Sequence, residues 1–502
     1  MSERVPGIPL AAIPARAQDA GHVLLYRGPS EAREILWVRK AAEHGWAAGL
    51  YALPGGRVEA GDAQTPMTGT PEAGPKAAAA LRGLFEQTGI LWTSTPVSAD
   101  IAKNGSDALH DHRARFADFL KHHGLFADAA ALNASSRWVT STAFPNRMDS
   151  TLYCARVETD VQPVRAGGRD IVEAAWIRAS DALQRWSSGA AVCHPQLLHA
   201  LEVAASPIPD TALTEKLRQT VFSPGGVSLQ LEFQKGVRAF PMKTPTLPPA
   251  THTNTYVLGN GELLIVDPGS PHVRERAQLF AYLESLKTEG KKVKAVFLTH
   301  HHEDHVSGAE AVRERLRVPI WGHVLTAERL KFSLDRVFDD RDTVELQGSP
   351  AMRWRVIHTP GHARGHLILR DEASGAGVVG DLVAGVGTIL IDPPEGDMLE
   401  YMNQLRRVAA LAMGTLYPAH GPPLPEGSAK LTELLRHREM RERQVLDALK
   451  GTPPTLPEIA RRAYPELPPE MFPLAERSTH AIVLKLVREG RIARKDDRYA
   501  RT

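Results

Sequence analysis

Apolar and polar positions divide this chain into regions with different patterns. In the first 205 residues the runs Val23–Tyr26 and Glu34–Val38 predict β-strands, and Gly55-Gly56 marks a turn. Prolines are frequent from residue 206 to residue 250, which indicates a linker followed by the first strands of another domain.

From there to about residue 428, strand-like and helix-like segments alternate. Amphipathic spacing predicts helices at Val273–Thr288 and Gly308–Leu316. Alternation of the two kinds of element is typical of a layered α/β domain. The predicted strands are Tyr256–Leu258, Leu263–Val266, Ala295–Leu298, Arg355–His358, Leu367–Leu369 and Val378–Val379.

The end of the chain has a helical pattern. Apolar residues at helical spacing predict helices at His437–Leu449, Leu456–Tyr464 and His480–Glu489, and Arg491–Arg501 predicts a short hairpin. Three helices followed by a hairpin indicate a winged-helix module.

Length and composition limit the classes of protein that this chain can be. Its 502 residues exceed what one hydrophobic core normally holds, so two or three domains are expected. The net charge of +2 excludes a histone-like binder, although residues 436–502 alone carry +5. The two cysteines, Cys154 and Cys193, cannot form a disulfide framework, which fits a reducing compartment. Because no long apolar run or signal peptide is visible, we expect a cytoplasmic protein without membrane contact.

Four side chains that bind metals well follow the predicted strand Ala295–Leu298 within a few residues: His300, His302, Asp304 and His305. Imidazole and carboxylate groups are ligands of zinc and similar metals. Because a tight loop at the end of a strand brings them together, we expect a metal site here.

The spacing His300-x-His302-x-Asp304-His305 resembles the signature of the metallo-β-lactamase superfamily. The other landmarks of that family occur in order along the chain. They are Asp267 after a strand, His362 in TPGH, Asp381 in GD and His420 in YPAHG. The resemblance covers roughly residues 226–428 and implies an αββα sandwich.

The resemblance also implies two divalent metal ions, with zinc as the first choice and manganese and iron known in similar sites. The implied ligands are His300, His302 and His362 for one ion, Asp304, His305 and His420 for the other, and Asp381 between them. Asp267 would fix the ligand loop through hydrogen bonds.

A hydroxide bridging the two ions would attack an ester, thioester or phosphodiester, because paired cations acidify water and stabilise the developing negative charge. The catalytic residues of this scheme are Asp304, His302 and Asp381. Residues 206–502 contain no cysteine, which disfavours the zinc β-lactamases that use a Cys ligand. The neighbouring histidines His323, His358 and His366 are predicted to be structural.

A winged helix directly after this hydrolase fold resembles the beta-lactamase-like protein 2 family, whose animal members are associated with endoribonuclease activity on single-stranded RNA. The charge of the tail suits phosphate contacts and is equally ordinary for a solvated helical surface. The predicted substrate is therefore a small-molecule ester or thioester, such as an acyl-CoA or acyl-glutathione, or RNA. The tail would contact nucleic acid, cover the active-site mouth or support a dimer, and the sequence leaves the oligomeric state open.

Near the start of the chain, Leu53–Asp62 resembles the first half of a nudix box and Ala80–Ile90 its second half. Trp138–Tyr153 is similar to the coenzyme A diphosphatase type of nudix protein. The resemblance covers about residues 20–200 and implies an α/β/α sandwich. Gly83 and Gln87, however, stand where the motif has Glu.

The candidate residues of this nudix-like remnant are Gly56, Glu59, Arg82 and Glu86. A single helix carboxylate, Glu86, is too few to hold magnesium against a diphosphate, which argues against a magnesium site and nudix catalysis. Arg82 is then a structural ion-pair partner. The region would bind a nucleotide or coenzyme A-like ligand or act as a scaffold, so a nucleotide- or CoA-sensing regulatory protein is a further alternative.

These patterns together predict an α/β multidomain protein that acts as a metal-dependent hydrolase. The predicted parts are a degenerate nudix-like domain at 1–205, a linker at 206–225, a metallo-β-lactamase-type domain at 226–430 and a winged helix at 431–502.

Overall fold

The computed structural model describes residues 16–41, 47–69, 74–111, 113–142, 146–158, 161–163, 170–218 and 231–502. They form two compact units, of which the first ends at Lys235 and the second is Gly236–Thr502. Among the described helices, none combines the length and apolar composition needed to cross a bilayer.

A mixed sheet lies at the centre of the first unit. Its order is β3-β2-β1-β8-β7, with β4 beside β1 and β9 beside β2, and only the β1–β8 pair is parallel. The strands of the unit are β1 (Gln18–Arg27), β2 (Glu34–Lys40), β3 (Tyr51–Ala52), β4 (Gly55–Arg57), β5 (Met67–Thr68), β6 (Ala127–Asp128), β7 (Asn133–Val139), β8 (Met148–Arg156), β9 (Ile171–Arg178) and β10 (Leu231–Gln234). The helices are α1 (Gly74–Thr88), α2 (Ala99–His110), α3 (Phe116–His122), α4 (Ala179–Ser187), α5 (Pro195–Ala204) and α6 (Asp210–Arg218).

Both faces of this sheet are covered by helices. Successive side chains of a strand point to opposite faces, so Leu24 and Tyr26 join one core with α4, α5 and α6, while Val23 and Leu25 join another with α1. The predicted three-layer α/β/α arrangement of this part of the chain is confirmed.

The helix α6 occupies residues for which the sequence predicted a linker. Leu213 and Leu217, four residues apart, are fully buried in the same core as α5. The buried Arg33 pairs with Asp210 at the start of the helix at 2.8 Å. Residues 210–218 therefore belong to the first unit, and residues 219–225 of the predicted linker lie outside the described residues.

Two sheets make up most of the second unit. One has the order β11-β12-β13-β14-β15-β16, in which β13 to β16 are parallel; the other has the order β17-β18-β19-β20-β21. The strands are β11 (Val237–Lys243), β12 (His252–Leu258), β13 (Glu262–Val266), β14 (Lys292–Phe297), β15 (Ile320–Gly322), β16 (Arg336–Val337), β17 (Thr343–Leu346), β18 (Met352–His358), β19 (Leu367–Asp371), β20 (Gly377–Gly380), β21 (Leu416–Pro418), β22 (Ile492–Lys495) and β23 (Arg498–Arg501). The helices are α7 (Val273–Thr288), α8 (Glu303–Val306), α9 (Ala309–Leu316), α10 (Val324–Ala327), α11 (Met398–Ala409), α12 (Gly427–Ala448), α13 (Leu456–Ala463) and α14 (Phe472–Arg488).

Helices α7 and α9 pack on the first sheet, and α11 and α12 pack on the second. The αββα sandwich predicted from the motifs is therefore confirmed. Its parallel strands β13, β14 and β15 end at the same edge, so the loops that follow them lie together.

The C-terminal helices and the hairpin β22–β23 form the predicted winged helix. Leu431 and Val445 of α12, Leu486 of α14 and Tyr499 of β23 are buried in the same apolar cluster as Leu405 of α11. The core of the winged helix is therefore continuous with that of the sandwich, and both belong to one unit.

Candidate metal centre

The loop after β14 carries the histidine motif. It is short because α8 begins at Glu303, so Asp304 and His305 lie on the first turn of a helix that faces back toward the sheet edge. His300 and His305 are fully buried, and Asp304 is almost so.

Asp267 holds this loop in place from the end of β13. One carboxylate oxygen accepts from the Thr299 N–H at 2.8 Å, and the other accepts from Thr299 Oγ1 at 2.6 Å and from His305 Nδ1 at 2.9 Å. Its backbone adopts φ 49°, a left-handed conformation that Asp tolerates better than most residues.

The first group of donors comprises His300, His302 and His362. His302 Nδ1 lies 2.9 Å from His300 Nε2 and 3.0 Å from His362 Nε2. His362 donates its Nδ1 hydrogen to the Leu390 carbonyl at 2.9 Å. His300 Nδ1 lies 2.9 Å from Thr299 Oγ1, which already donates to a carboxylate and so accepts here.

The second group comprises Asp304, His305 and His420. Asp304 Oδ2 lies 3.6 Å from His305 Nε2 and 3.4 Å from His420 Nε2. His420 donates from Nδ1 to the His252 carbonyl at 3.1 Å. Asp304 accepts from Thr253 Oγ1 at 3.3 Å.

Asp381, directly after β20, lies between the two groups. Its carboxylate is 3.4 Å from His362 Nε2, 3.6 Å from His305 Nε2 and 3.4 Å from His420 Nε2. The structure thus brings together all seven side chains that the sequence proposed as ligands, with Asp381 in contact with both groups.

His366, which the sequence treated as structural, fixes the backbone of Asp381. Its Nε2 accepts the Asp381 N–H at 3.0 Å, and its Nδ1 lies 2.7 Å from Thr359 Oγ1. The sequence gives little sign of this contact, because the two residues lie on different strand ends.

Charges in this buried site influence one another strongly. Burial holds the pKa of His300 and His302 well below the usual value. Burial also acts against the protonated forms of His305 and His420, but neighbouring carboxylates outweigh it, and Asp381 raises the pKa of His420 to about 9. The pKa of Asp381 lies well below its usual range in spite of burial, because His420 and His305 favour its charged form. The charged form of the buried carboxylate is therefore stabilised by positive charge beside it.

The donor set fits divalent cations. Among the described residues, Asp381 Oδ1 and His305 Nε2 are buried without a hydrogen-bond partner. In the first group, three ring nitrogens lie within about 3 Å of His302 Nδ1 or are that atom itself: His300 Nε2, His362 Nε2 and His302 Nδ1. A cation bound among these nitrogens would remove the repulsion between their lone pairs.

The loop that follows β20 lines the site and is tied to α12. Arg438, which is 6% exposed, donates to the Ile389 carbonyl at 2.6 Å, and its guanidinium lies 5.2 Å from the ring centroid of Tyr401. Ile389 directly precedes Leu390, whose carbonyl orients His362. The sequence did not predict this role for Arg438, because no motif joins a helix near the chain end to this loop.

A further donor group lies apart from the seven. His323, Asp339 and His358 bring one ligand atom each within 4.8 Å, and the two imidazole rings stack at 4.2 Å. His323 Nδ1 accepts from the Leu325 N–H at the start of α10 and so caps that short helix. This contact agrees with the structural role predicted for His323.

In the first unit, Arg82 pairs with three carboxylates near the residues that resemble a nudix box. It pairs with Glu59 at 3.1 Å, with Asp62 at 2.8 Å and with Glu86 at 3.0 Å. A side chain at Gly83 would come within 2.5 Å of the Gly55 backbone, so helix and loop pack too closely for the Glu of the motif.

Gly56 lies beside this loop in β4, with open space around its α-carbon. Gln87, the other departure from the motif, donates from Nε2 to the Gly55 carbonyl at 2.8 Å and accepts the Gly55 N–H at 3.2 Å. Both substituted positions therefore serve the packing of α1 on the loop.

Comparison with known proteins agrees with this geometry. Residues 248–420 match the Metallo-beta-lactamase superfamily, and residues 455–501 match the Beta-lactamase associated winged helix domain. The lactamase-like protein vrtG of Penicillium aethiopicum is 32% identical over 231 residues, which are 44% of this chain and 70% of that protein. The chain belongs to the metallo-beta-lactamase superfamily. As a member, it is a metal-dependent hydrolase.

Two further relatives of this metallo-beta-lactamase superfamily protein are a beta-lactamase-like protein and a thioesterase. The beta-lactamase-like protein 2 homolog of Caenorhabditis elegans is 28% identical and covers 47% of this chain and 79% of its own. The atrochrysone carboxyl ACP thioesterase of Aspergillus fumigatus is 31% identical and covers 40% of this chain and 60% of its own.

The first unit has a weaker match. A solved NUDIX hydrolase from Alicyclobacillus acidocaldarius covers 39% of this chain and 96% of its own, with a TM-score of 0.33 and 25% identity. At this level the nudix resemblance of the first unit stays a prediction.

Proposed function

We propose that this protein is a binuclear hydrolase that cleaves thioesters of apolar acyl groups. The observation that carries the proposal is the convergence of two donor groups on Asp381, which lies within 3.6 Å of nitrogens from both. One cation would be held by the first group and one by the second, with Asp381 shared. Zinc is our first choice, because histidine nitrogens dominate the donor set.

When bound, two such ions lower the pKa of nearby water and stabilise negative charge on an attacked carbonyl oxygen. The protein's own residues prepare the site for this chemistry. Asp304, oriented by Thr253, would accept the proton of an attacking water. His302 and Asp381 would each hold a cation in position.

A cavity opens beside His362, Asp381 and His420 of the metal centre, and its walls favour an uncharged acyl group. Apart from the metal donors, the described residues that line it are apolar or Gly and Thr, with no Lys or Arg among them. A polyanion such as RNA needs cationic contacts to its phosphates, and this lining supplies none. The lining residues are Thr246, Leu247, Pro248, Pro249, Ala250, Ala384, Val386, Gly387, Thr388, Ile389 and Leu390.

Several basic residues of the tail are held in ion pairs, which weakens the case for an RNA substrate. Arg477 pairs with Asp392 at 2.8 Å, and Arg488 pairs with Asp397 at 2.9 Å. Lys485, Arg491 and Arg501 also have carboxylate partners. Asp392 and Asp397 lie outside the tail, so the first two pairs hold it against the sandwich. The similarity of this chain to the atrochrysone carboxyl ACP thioesterase also supports a thioester substrate.

The proposal is tested with the metal-loaded full-length protein. We expect thiol release from acyl-CoA or acyl-glutathione substrates and no cleavage of labelled single-stranded RNA. RNA cleavage without thiol release would favour the endoribonuclease alternative and overturn the proposal.

The metal roles have a separate test. Replacing His302→Ala or Asp381→Ala should reduce kcat/KM by at least about a hundredfold and lower the bound metal measured by elemental analysis. His272→Ala, an exposed histidine outside the site, is the matched control and should change neither. Full turnover in both site variants would contradict the assignment.

A further inference from the structure

We infer that the hydroxyl of Thr246 is a catalytic hydrogen-bond donor, which stabilises the negative charge that develops on the oxygen of the attacked carbonyl group. The inference rests on the hydrolase function proposed above and adds to it a residue that holds no cation. Thr246 lies in residues 244–251, which connect β11 to β12 and are called the β11–β12 loop below.

Thr246 has a buried hydroxyl with one weak partner. The residue is 3% exposed. With the described residues its side chain makes a single hydrogen bond, in which Oγ1 lies 3.5 Å from His420 Nε2, longer than most hydrogen bonds. The same nitrogen belongs to the second donor group and would hold a cation. Once Nε2 serves a cation, the hydroxyl has lost this partner, and an unpaired buried hydroxyl costs free energy.

Thr246 also lies in the wall of the cavity beside the metal centre, together with His362, Asp381 and His420. The volume of this cavity is about 40 Å³, and because one water needs about 10–15 Å³, only a few atoms fit. A carbonyl group that reaches the metal donors must therefore enter close to Thr246. Its oxygen would supply the acceptor that the hydroxyl lacks.

The β11–β12 loop is held in place near both of its ends. Thr253 donates its hydroxyl hydrogen to Asp304 and so accepts from Thr244 Oγ1 at 2.8 Å. Farther along the loop, Pro249 packs against Gly387, where an added Cβ would lie 2.9 Å from Pro249 Cδ. A donor on such a fixed segment needs little reorganisation when charge develops, which is what makes an oxyanion donor effective.

Thr246→Val removes the hydroxyl and keeps the shape of the side chain. In the metal-loaded full-length protein we expect kcat for acyl-CoA or acyl-glutathione to fall about tenfold or more, with KM nearly unchanged, because the lost contact strengthens only as charge develops. Thr246→Ser keeps the hydroxyl and should recover most of kcat. Thr343→Val, on the edge strand β17, removes a hydroxyl outside the cavity and should leave kcat unchanged.

Binding of methylboronic acid, measured by calorimetry on the same proteins, tests the inference without thioester turnover. Boronic acids add hydroxide and become tetrahedral anions, which resemble an attacked carbonyl group. We expect Thr246→Val to raise the Kd about ten- to a hundredfold, and Thr343→Val to leave it unchanged. If the unchanged protein releases no thiol but this rise in Kd is observed, the thioester proposal fails and the role of Thr246 as a donor stands.

Metal affinity separates a catalytic role of Thr246 from a structural one. A residue that merely oriented the His420 ring would weaken metal binding when replaced. We therefore expect Thr246→Val to bind metal, in competition with a chelator, as tightly as the unchanged protein. A lower metal affinity in this variant would overturn the inference. So would an undiminished kcat in a protein that does release thiol, an unchanged boronate Kd, or no boronate binding by the unchanged protein.

Discussion

The histidines of the metal centre present one nitrogen inward because the other is already hydrogen-bonded. His305 donates to Asp267, His362 to the Leu390 carbonyl and His420 to the His252 carbonyl. Each contact places a hydrogen on Nδ1, so Nε2 is the nitrogen that faces the other donors. The groups that accept these hydrogen bonds therefore determine the site together with the histidines themselves.

Asp267→Asn tests this idea at a single residue. The amide has one acceptor oxygen for three hydrogen bonds, so its NH₂ group faces either Thr299 or His305 and disturbs the donor geometry. We expect metal affinity, measured by titration against a competing chelator, to fall about ten- to a hundredfold.

Asp335→Asn is the control for Asp267→Asn. Asp335 also accepts a backbone N–H, from Ile320 at 2.8 Å, but lies outside the donor groups. Equal metal affinity in the two variants would contradict the role given to Asp267.

At the level of elements, the site depends on a loop and a helix that are distant in sequence. Arg438 of α12 donates to Ile389, and the next residue in the loop carries the carbonyl that orients His362. The helix therefore acts on the metal centre through the backbone of the loop and not through a donor of its own.

Arg438→Met should loosen this loop while keeping most of the apolar volume of the side chain. We expect metal affinity to fall and kcat to drop severalfold, with both partly recovered in Arg438→Lys, because lysine can donate to the Ile389 carbonyl. Arg443→Met, on the exposed face of α12, is the control. Unchanged kcat and metal affinity in Arg438→Met would refute the link.

On the scale of the molecule, the winged helix and the sandwich share one apolar cluster. Leu486 of α14 is fully buried in that cluster, whereas Leu484 on the same helix is 44% exposed. Replacing either leucine by alanine removes the same atoms, from a buried position at Leu486 and from an exposed position at Leu484.

Leu486→Ala should lower the free energy of unfolding of the second unit by about 2–5 kcal/mol, and Leu484→Ala by much less. Because the core is continuous, we expect activity and tail structure to be lost in one transition during denaturant titration. Separate transitions for the tail and for activity in Leu486→Ala would show that the winged helix folds independently.

Local sequence determined much of this fold. The predicted helix Val273–Thr288 matches α7, and the predicted strands of the sandwich fall within β12, β13, β18, β19 and β20 or overlap β14. These segments were predictable because side-chain spacing reports directly which face of an element is buried. The seven donors were predictable because they follow strands whose ends a layered fold brings to one edge.

Tertiary packing decided the remainder. The helix α6 and the roles of His366 and Arg438 all depend on residues far apart in the chain. Sequence spacing carries no record of such contacts, because they arise only when separate elements meet. The sequence therefore determined which residues gather at the metal centre, and the tertiary structure determined what holds them in place.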